Sequence, residues 1–265
     1  MVMSEFNYHQ PVLLEEVLSF LPLKKKLVYV DMTLGRAGHA SAILSNLSKG
    51  SVFYGFDKDV QAIQYSKKKL SQFEKKVDLN FVQSPYSTAI DFLKNSGLNG
   101  ADFILFDIGV SSPQFDDPQR GFSYRYDSFL DMRMNQDQEL TAYKVINTYT
   151  EEQLNHVFRD LGQCENYHRV VKAILETREK KPIETTYQLV DIIKSNLPAY
   201  ELKKTGHPAK QFFLGIRYEV NGEIDELHMG LNKAVSFLNP GGRIVIITFN
   251  SEEDRIVKKI FQSVS

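Results

Sequence analysis

At 265 residues, 42% of them hydrophobic and 25% charged, the chain can bury a full core and has the make-up of a soluble globular protein, either one domain with a sizeable insertion or two domains. Its 32 Lys and Arg against 33 Asp and Glu leave a formal net charge of −1, which excludes a global pull toward polyanions and makes any nucleic-acid surface local. The one cysteine, Cys164, excludes an intramolecular disulfide and a cysteine-built zinc site, and suits a reducing, cytoplasmic compartment.

Met1 to Gln10 lack the charged-then-apolar pattern of a secretion signal, and no apolar run approaches the roughly 20 residues that span a bilayer, so no membrane association is expected. Apolar residues at helical spacing predict a helix from Pro11 to Leu21, with Pro11 acceptable in its first turn and Pro22 ending it. Leu27 to Met32 is a β-branched apolar run that stops at a glycine-containing loop, which reads as a buried strand, and Ala40 to Leu47 reads as the helix after it. The alternation continues with strands at Ser51–Phe56, Asp78–Val82 and Asp102–Phe106. Between them lie helices at Val60–Phe73, with a lysine-rich exposed face, and at Thr88–Asn95. Four strands alternating with helices predict a parallel, doubly wound α/β sheet. From Asp116 to about Lys210 the texture changes to amphipathic stretches, Glu151–Leu161, Tyr167–Arg178 and Tyr187–Ser195, with hardly a strand-like run. This segment is expected to be a helical insertion on the C-terminal side of the sheet, where open α/β folds bind ligands. The sheet resumes with a helix at Leu227–Phe237, a turn at Pro240-Gly241-Gly242 and a strand at Arg243–Phe249.

Three strand ends carry candidate chemistry. After the first strand, Gly35-Arg36-Ala37-Gly38-His39 leads into a helix. Its glycines allow close backbone approach to a ligand and the helix start offers free amides, although an ordinary strand-to-helix turn has the same composition. Asp57 closes the second strand, 22 residues after Gly35, where an acid can accept both hydroxyls of a ribose; Asp57 and Asp59 could divide that task with capping the next helix. The loop lacks the Gly-x-Gly-x-x-Gly spacing of a pyrophosphate cradle, which tilts against a nicotinamide-dependent oxidoreductase. After the fourth strand, Asp107-Ile108-Gly109-Val110-Ser111-Ser112-Pro113-Gln114-Phe115 offers Asp107, Ser112 and the Pro113 carbonyl as acceptors to orient a base amine, and Phe115 as a stacking face. Its Ser-Pro-Gln-Phe is similar to the Asn/Asp/Ser-Pro-Pro-Tyr/Phe motif of amino-methyltransferases.

Lys203, Lys204, Lys210 and Arg217, interleaved with Phe212, Phe213 and Tyr218, fit either a single-stranded RNA contact or a solvated helix end followed by core aromatics. The six histidines show no ligand spacing, so no metal site is expected.

His9-Gln10-Pro11-Val12-Leu13-Leu14, the Asp31–His39 loop, Asp107 to Gln114, Arg120-Gly121-Phe122-Ser123, Leu130-Asp131-Met132-Arg133-Met134, His207-Pro208-Ala209 and Glu253 to Lys258 together resemble the MraW/RsmH family of small-subunit ribosomal RNA cytosine-N4 methyltransferases, in order along nearly the whole chain. The resemblance implies a class I, Rossmann-like methyltransferase domain formed by residues 1–115 and 211–265, and an all-helical, substrate-recognition insertion at 116–210. It implies S-adenosylmethionine as cofactor, no metal, and 16S rRNA of the small subunit as partner, and it leaves a homodimer open. Ala37, Gly38, His39, Asp57, Tyr86, Asp107 and Gln114 would then contact the cofactor, with Asp107 and Ser112 orienting the amine. Two positions depart from the family. Ala37 stands where glycine is usual, which a positive φ would penalise, and Asn250 stands where a histidine is usual, so no proton-transfer role carries over to it.

Overall fold

The computed structural model describes residues 11–23 and 26–264; His9 and Gln10 of the first motif lie outside them. Five strands, β1 Val28–Asp31, β2 Ser51–Asp57, β3 Val77–Gln83, β4 Ala101–Asp107 and β5 Leu238–Ile247, form one sheet in the order β3-β2-β1-β4-β5. Every pairing is parallel. The order reverses beside β1, so the loops after β1 and β4 flank the switch point at which such sheets bind ligands. Helices α1 Leu14–Ser19, α2 Gly38–Asn46, α3 Val60–Leu70 and α4 Tyr86–Asn95 occupy the connections expected of them. The expected turn at Pro240–Gly242 is instead a bulge inside β5. Two steps along β4, from Ala101 to Phe103, face five along β5, from Leu238 to Arg243, so the proline and the positive-φ Gly241 are looped out of the ladder.

The chain divides into two compact units, one comprising residues up to Gly109 and from Glu226, the other Val110–Asp225. In the first, Tyr29, Phe53 and Phe103 lie buried, with ring centroids 5.1 and 5.8 Å apart, among Ile43 and Leu44 of α2, Leu70 of α3 and Leu105 of β4. Strands apolar on both sides are what a sheet covered by helices requires.

The second unit holds α5 Ser112–Asp116, α6 Ala142–Thr148, α7 Glu151–Asn155, α8 Tyr167–Arg178, α9 Thr186–Asn196, α10 Ala199–Leu202 and α11 Lys210–Asn221, while α12 Glu223–Ser236 crosses the boundary and α13 Ser251–Val264 lies in the first unit. Its core joins Phe158, Ile174, Ile193, Phe212, Ile216 and their neighbours. The unit reaches outward beyond the expected limits of 116 and 210, because Val110 and Phe115 pack against this core and α11 contributes Phe212, Phe213, Ile216 and Val220 to it. The helix expected at Glu151–Leu161 is α-helical only to Asn155 and continues as a π-turn, His156–Leu161.

Two family motifs have a mechanical role here. Asn221 donates to the Met132 carbonyl at 2.8 Å and accepts from the Met134 amide at 2.8 Å. Arg120 donates to the carbonyls of Arg133 and Met134, and Arg133 clasps Asp131 with two nitrogens at 2.9 Å. Met132 is thereby held at φ 59°, a conformation that a bulky side chain adopts only when its surroundings impose it.

Candidate functional site

The residues named for the first loop are brought together by backbone geometry. Gly35 and Ala37 both have positive φ, +50° and +53°, and Ala37 is the residue from which α2 starts. The turn is fastened by the Ala37 amide on Leu34 O at 2.8 Å and by buried Ser66 of α3 on Gly35 O at 2.8 Å. A Cβ on Gly38 would meet Pro11 Cγ at 2.7 Å, so the proline of the first motif presses on the start of α2, and His39 Nε2 lies 2.8 Å from Val12 O. The penalty foreseen for Ala37 is therefore present. Left-handed backbone costs a non-glycine residue about 1–2 kcal/mol, offset by roughly 0.8 kcal/mol for its fully buried methyl group. Ala37→Gly should shift stability by less than about 1 kcal/mol, whereas Ala37→Val, β-branched at the same φ, should cost about 2 kcal/mol or more in a thermal melt. Equal melting of the two variants would refute a strained loop.

Of Asp57 and Asp59, it is Asp59 that takes the capping role the sequence left open between them. Asp59 caps α3, accepting from Gln61 N at 2.9 Å. The Asp57 carboxylate instead reaches back to the first loop, taking the Gly35 amide on one oxygen at 2.8 Å and the Asp59 amide on the other at 2.9 Å. Each oxygen keeps a second lone pair, which suits a diol. Burial raises the carboxyl to about 6, against the pull of these two amides. Tyr86 starts α4 with little exposed surface. Its ring meets Phe106 edge-on at 5.4 Å and lies against Gly230 of α12, where a Cβ would come within 2.5 Å of Cδ2.

Asp107 closes β4. Its amide donates to Thr33 Oγ1 at 2.6 Å, which ties the β4 end to the β1 loop. One carboxylate oxygen lies 3.6 Å from His39 Nδ1; the other, Oδ1, is buried and takes no hydrogen bond from any described residue. Because a carbonyl can only accept, His39 Nε2 carries a hydrogen toward Val12, which leaves Nδ1 facing the Asp107 carboxylate. Burial raises the Asp107 carboxyl, and His39 opposes the rise. Behind it Asp31, also raised to about 6 by burial, accepts from the Tyr29 hydroxyl at 2.9 Å and from the Thr33 amide at 3.1 Å. The sequence marks Thr33 only as part of the Asp31–His39 loop and Tyr29 only as part of a strand. The legible sign was Asp31-x-Thr33 at a strand end, the spacing of a side chain turning back on its own backbone.

Ser112 and Gln114 belong to the second unit. Ser111 and Gln114 form a capping box on α5, the Ser111 amide donating to Gln114 Oε1 at 3.1 Å, so Gln114 is buried while Ser112 is exposed. Phe115 packs against its unit's core with the Arg125 guanidinium 5.8 Å from its ring centroid, and is thus not the free stacking face expected. The basic cluster resolves toward its bland reading. Arg217 is engaged by both oxygens of Glu223, Lys204 by Glu165 and Glu201, and Phe212, Phe213 and Tyr218 are core residues. Asn250 caps α13 by accepting from the amides of Glu252 and Glu253, while Glu253 returns to the Phe249 amide. Among the described residues no group of three or more His, Cys, Asp and Glu could hold a metal ion.

One buried carboxylate with an open oxygen, a second placed for a diol and a tight loop between them make a site suited to a nucleoside carrying a donor group. The ribosomal RNA small subunit methyltransferase H of Caldicellulosiruptor saccharolyticus is 46% identical over 254 residues, 96% of this chain and 81% of that protein. Its counterpart from Streptococcus mutans is 44% identical over 263 residues, 99% and 83% of the two chains, and that from Halothermothrix orenii 43% over 259, 97% and 82%. A sequence profile described as the MraW methylase family matches residues 6–265, and this chain belongs to that family.

Proposed function

We propose that this chain is a cytoplasmic methyltransferase that moves a methyl group from S-adenosylmethionine to the exocyclic N4 of a cytidine in 16S rRNA of the small ribosomal subunit. The observation that carries the reading is Asp107 Oδ1, a buried acceptor with no described donor at the end of β4, in a chain whose relatives are named small-subunit rRNA methyltransferases.

The residues fit the cofactor. Asp57 has acceptors for two ribose hydroxyls, Gly35 and Gly38 would let a ligand approach the backbone, Tyr86 is assigned to the adenine, and Asp107 with His39 to the end where the amino-acid part and the target amine would meet. Gln114 is assigned to the same end on the resemblance. The cofactor supplies an electrophilic methyl group on a sulfonium. A cytosine amine is a weak nucleophile because its lone pair is delocalised into the ring. Asp107 and Ser112 accept its hydrogens and aim that lone pair, and positioning provides most of the acceleration. The bound cofactor would give up its methyl group to N4 and leave as the neutral thioether, and water would take the proton that N4 then sheds. Neither residue need be a strong base. The helical unit is assigned to substrate recognition.

The test is incorporation of labelled methyl groups into unmethylated small subunits. The unmutated protein should label the RNA, and Asp107→Ala and Ser112→Ala should bind RNA as well but label it far more slowly. No labelling by the unmutated protein would make it a binding factor instead. The cofactor assignment has its own pH signature. Ribose hydroxyls donate to the ionised form of Asp57, so binding is tightest above about 6 and should weaken by up to about tenfold per pH unit below it. Asp31 titrates in the same range, so dialysis should compare the unmutated protein with Asp57→Asn. The same pH profile in both would remove Asp57 from the ribose.

A further inference from the structure

We infer that Arg36, Tyr65 and Lys69 form a contact surface for the phosphodiester backbone of the RNA substrate, an inference that rests on the methyltransferase reading above. The Arg36 guanidinium carbon stands 5.0 Å from the Tyr65 ring centroid, the Lys69 ammonium stands 6.0 Å from the same centroid, and Lys69 Nζ donates to Arg36 O at 3.0 Å. Two like charges are thus gathered round one ring. Partial burial and the neighbouring Arg36 together hold the Lys69 ammonium below its usual range.

No carboxylate among the described residues is paired with them. The sequence carries no Asp or Glu from Gly35 to Asn46 or from Val60 to Phe73, while α3 adds exposed Lys67 and Lys68. Among the described residues no acid reaches Arg36, Lys67, Lys68 or Lys69, in contrast to Lys58 with Glu226, Arg217 with Glu223, Lys233 with Asp91 and Lys258 with Asp254. In a chain of net charge −1, four cations with no acid among them are thus gathered on α3 and the loop beside it. A guanidinium ordered over an aromatic ring presents its donors in the fork that suits phosphate oxygens, and little freedom is left to lose when one binds. Arg36 also belongs to the loop that contains Ala37 and Gly38, so a strand held here runs past the loop assigned to the cofactor. An acidic protein partner would meet the same charge, but the established relatives act on RNA by name, and a stacked guanidinium between lysines suits a chain of evenly spaced phosphates better than scattered carboxylates.

The test is the salt dependence of binding to unmethylated small subunits. Each phosphate contact to unpaired RNA contributes about 0.7 to the slope of log affinity against log salt. The Arg36→Gln/Lys69→Gln double variant should therefore lose about 1.4 from the slope and bind roughly tenfold more weakly at moderate salt. Lys69→Gln alone, which leaves the loop sequence intact, should lose about half of that slope. If both variants keep the slope and affinity of the unmutated protein while it methylates its substrate, the surface is overturned and the enzyme stands. If the unmutated protein transfers no methyl group but the variants still lose slope, the enzymatic reading fails and the surface stands.

Discussion

Asp107→Ala is expected to slow methyl transfer by about 10²- to 10³-fold at saturating cofactor, the range seen when one preorganised hydrogen-bonding group is removed from an active site. The size of the effect follows from how Asp107 is held. Its backbone is fixed by Thr33 across the β1–β4 pairing, one oxygen faces His39, and the other is buried and open. Alanine removes the acceptor, and water entering the space cannot aim a lone pair as a fixed carboxylate does. Asp107→Asn keeps an acceptor but removes the charge beside His39, and should fall less, about tenfold. Single-turnover rates with small subunits, alongside cofactor affinity, separate the two roles: a loss confined to affinity would make Asp107 a binding residue only. An alanine variant within about threefold of the unmutated rate would remove it from the chemistry.

The second large effect is on stability. Gly121→Ala should destabilise the protein by about 3 kcal/mol or more, roughly 10 °C in melting temperature. Gly121 has φ +68°, and an added Cβ would lie 2.4 Å from Phe129 O and 2.9 Å from the Asp131 amide. Both neighbours are backbone and neither can swing aside. The displacement would spread to the Arg120 carbonyl, which accepts from the Met132 amide at 3.0 Å, and from there to the Asn221 clasp. The Arg-Gly-Phe-Ser motif would then be a folding requirement of the helical unit, in contrast to the chemistry assigned to Asp107. Unchanged melting of Gly121→Ala would contradict this packing.

The sheet was legible because its strands are continuous apolar runs that alternate with helical spacing, and β2, β3 and β4 fall within a residue or so of their expected limits. What failed was local. The Pro240–Gly242 turn became a bulge because composition marks a break in a ladder without saying whether the chain leaves the sheet. Asp57 could be placed by its distance from Gly35, and the carboxylate does meet that amide. Tyr86 could not be placed, since a single aromatic after a strand carries no spacing signal and only the resemblance marked it. The cluster around Arg217 misled for a different reason: the neutralising Glu223 lies one turn beyond the window that made it look basic. Conversely, the lysine-rich exposed face of α3 carries no functional signal by itself, because its significance depends on Arg36, distant in sequence and brought over Tyr65 only by the fold.

Nucleoside analysis of small-subunit RNA after incubation with the protein and labelled S-adenosylmethionine tests the assigned chemistry most directly. The expected result is label in N4-methylcytidine, appearing about 10²- to 10³-fold more slowly with Asp107→Ala. Label in 5-methylcytidine or in a methylated purine would contradict an amine held by Asp107 and Ser112, and RNA without label would contradict methyl transfer to this substrate altogether.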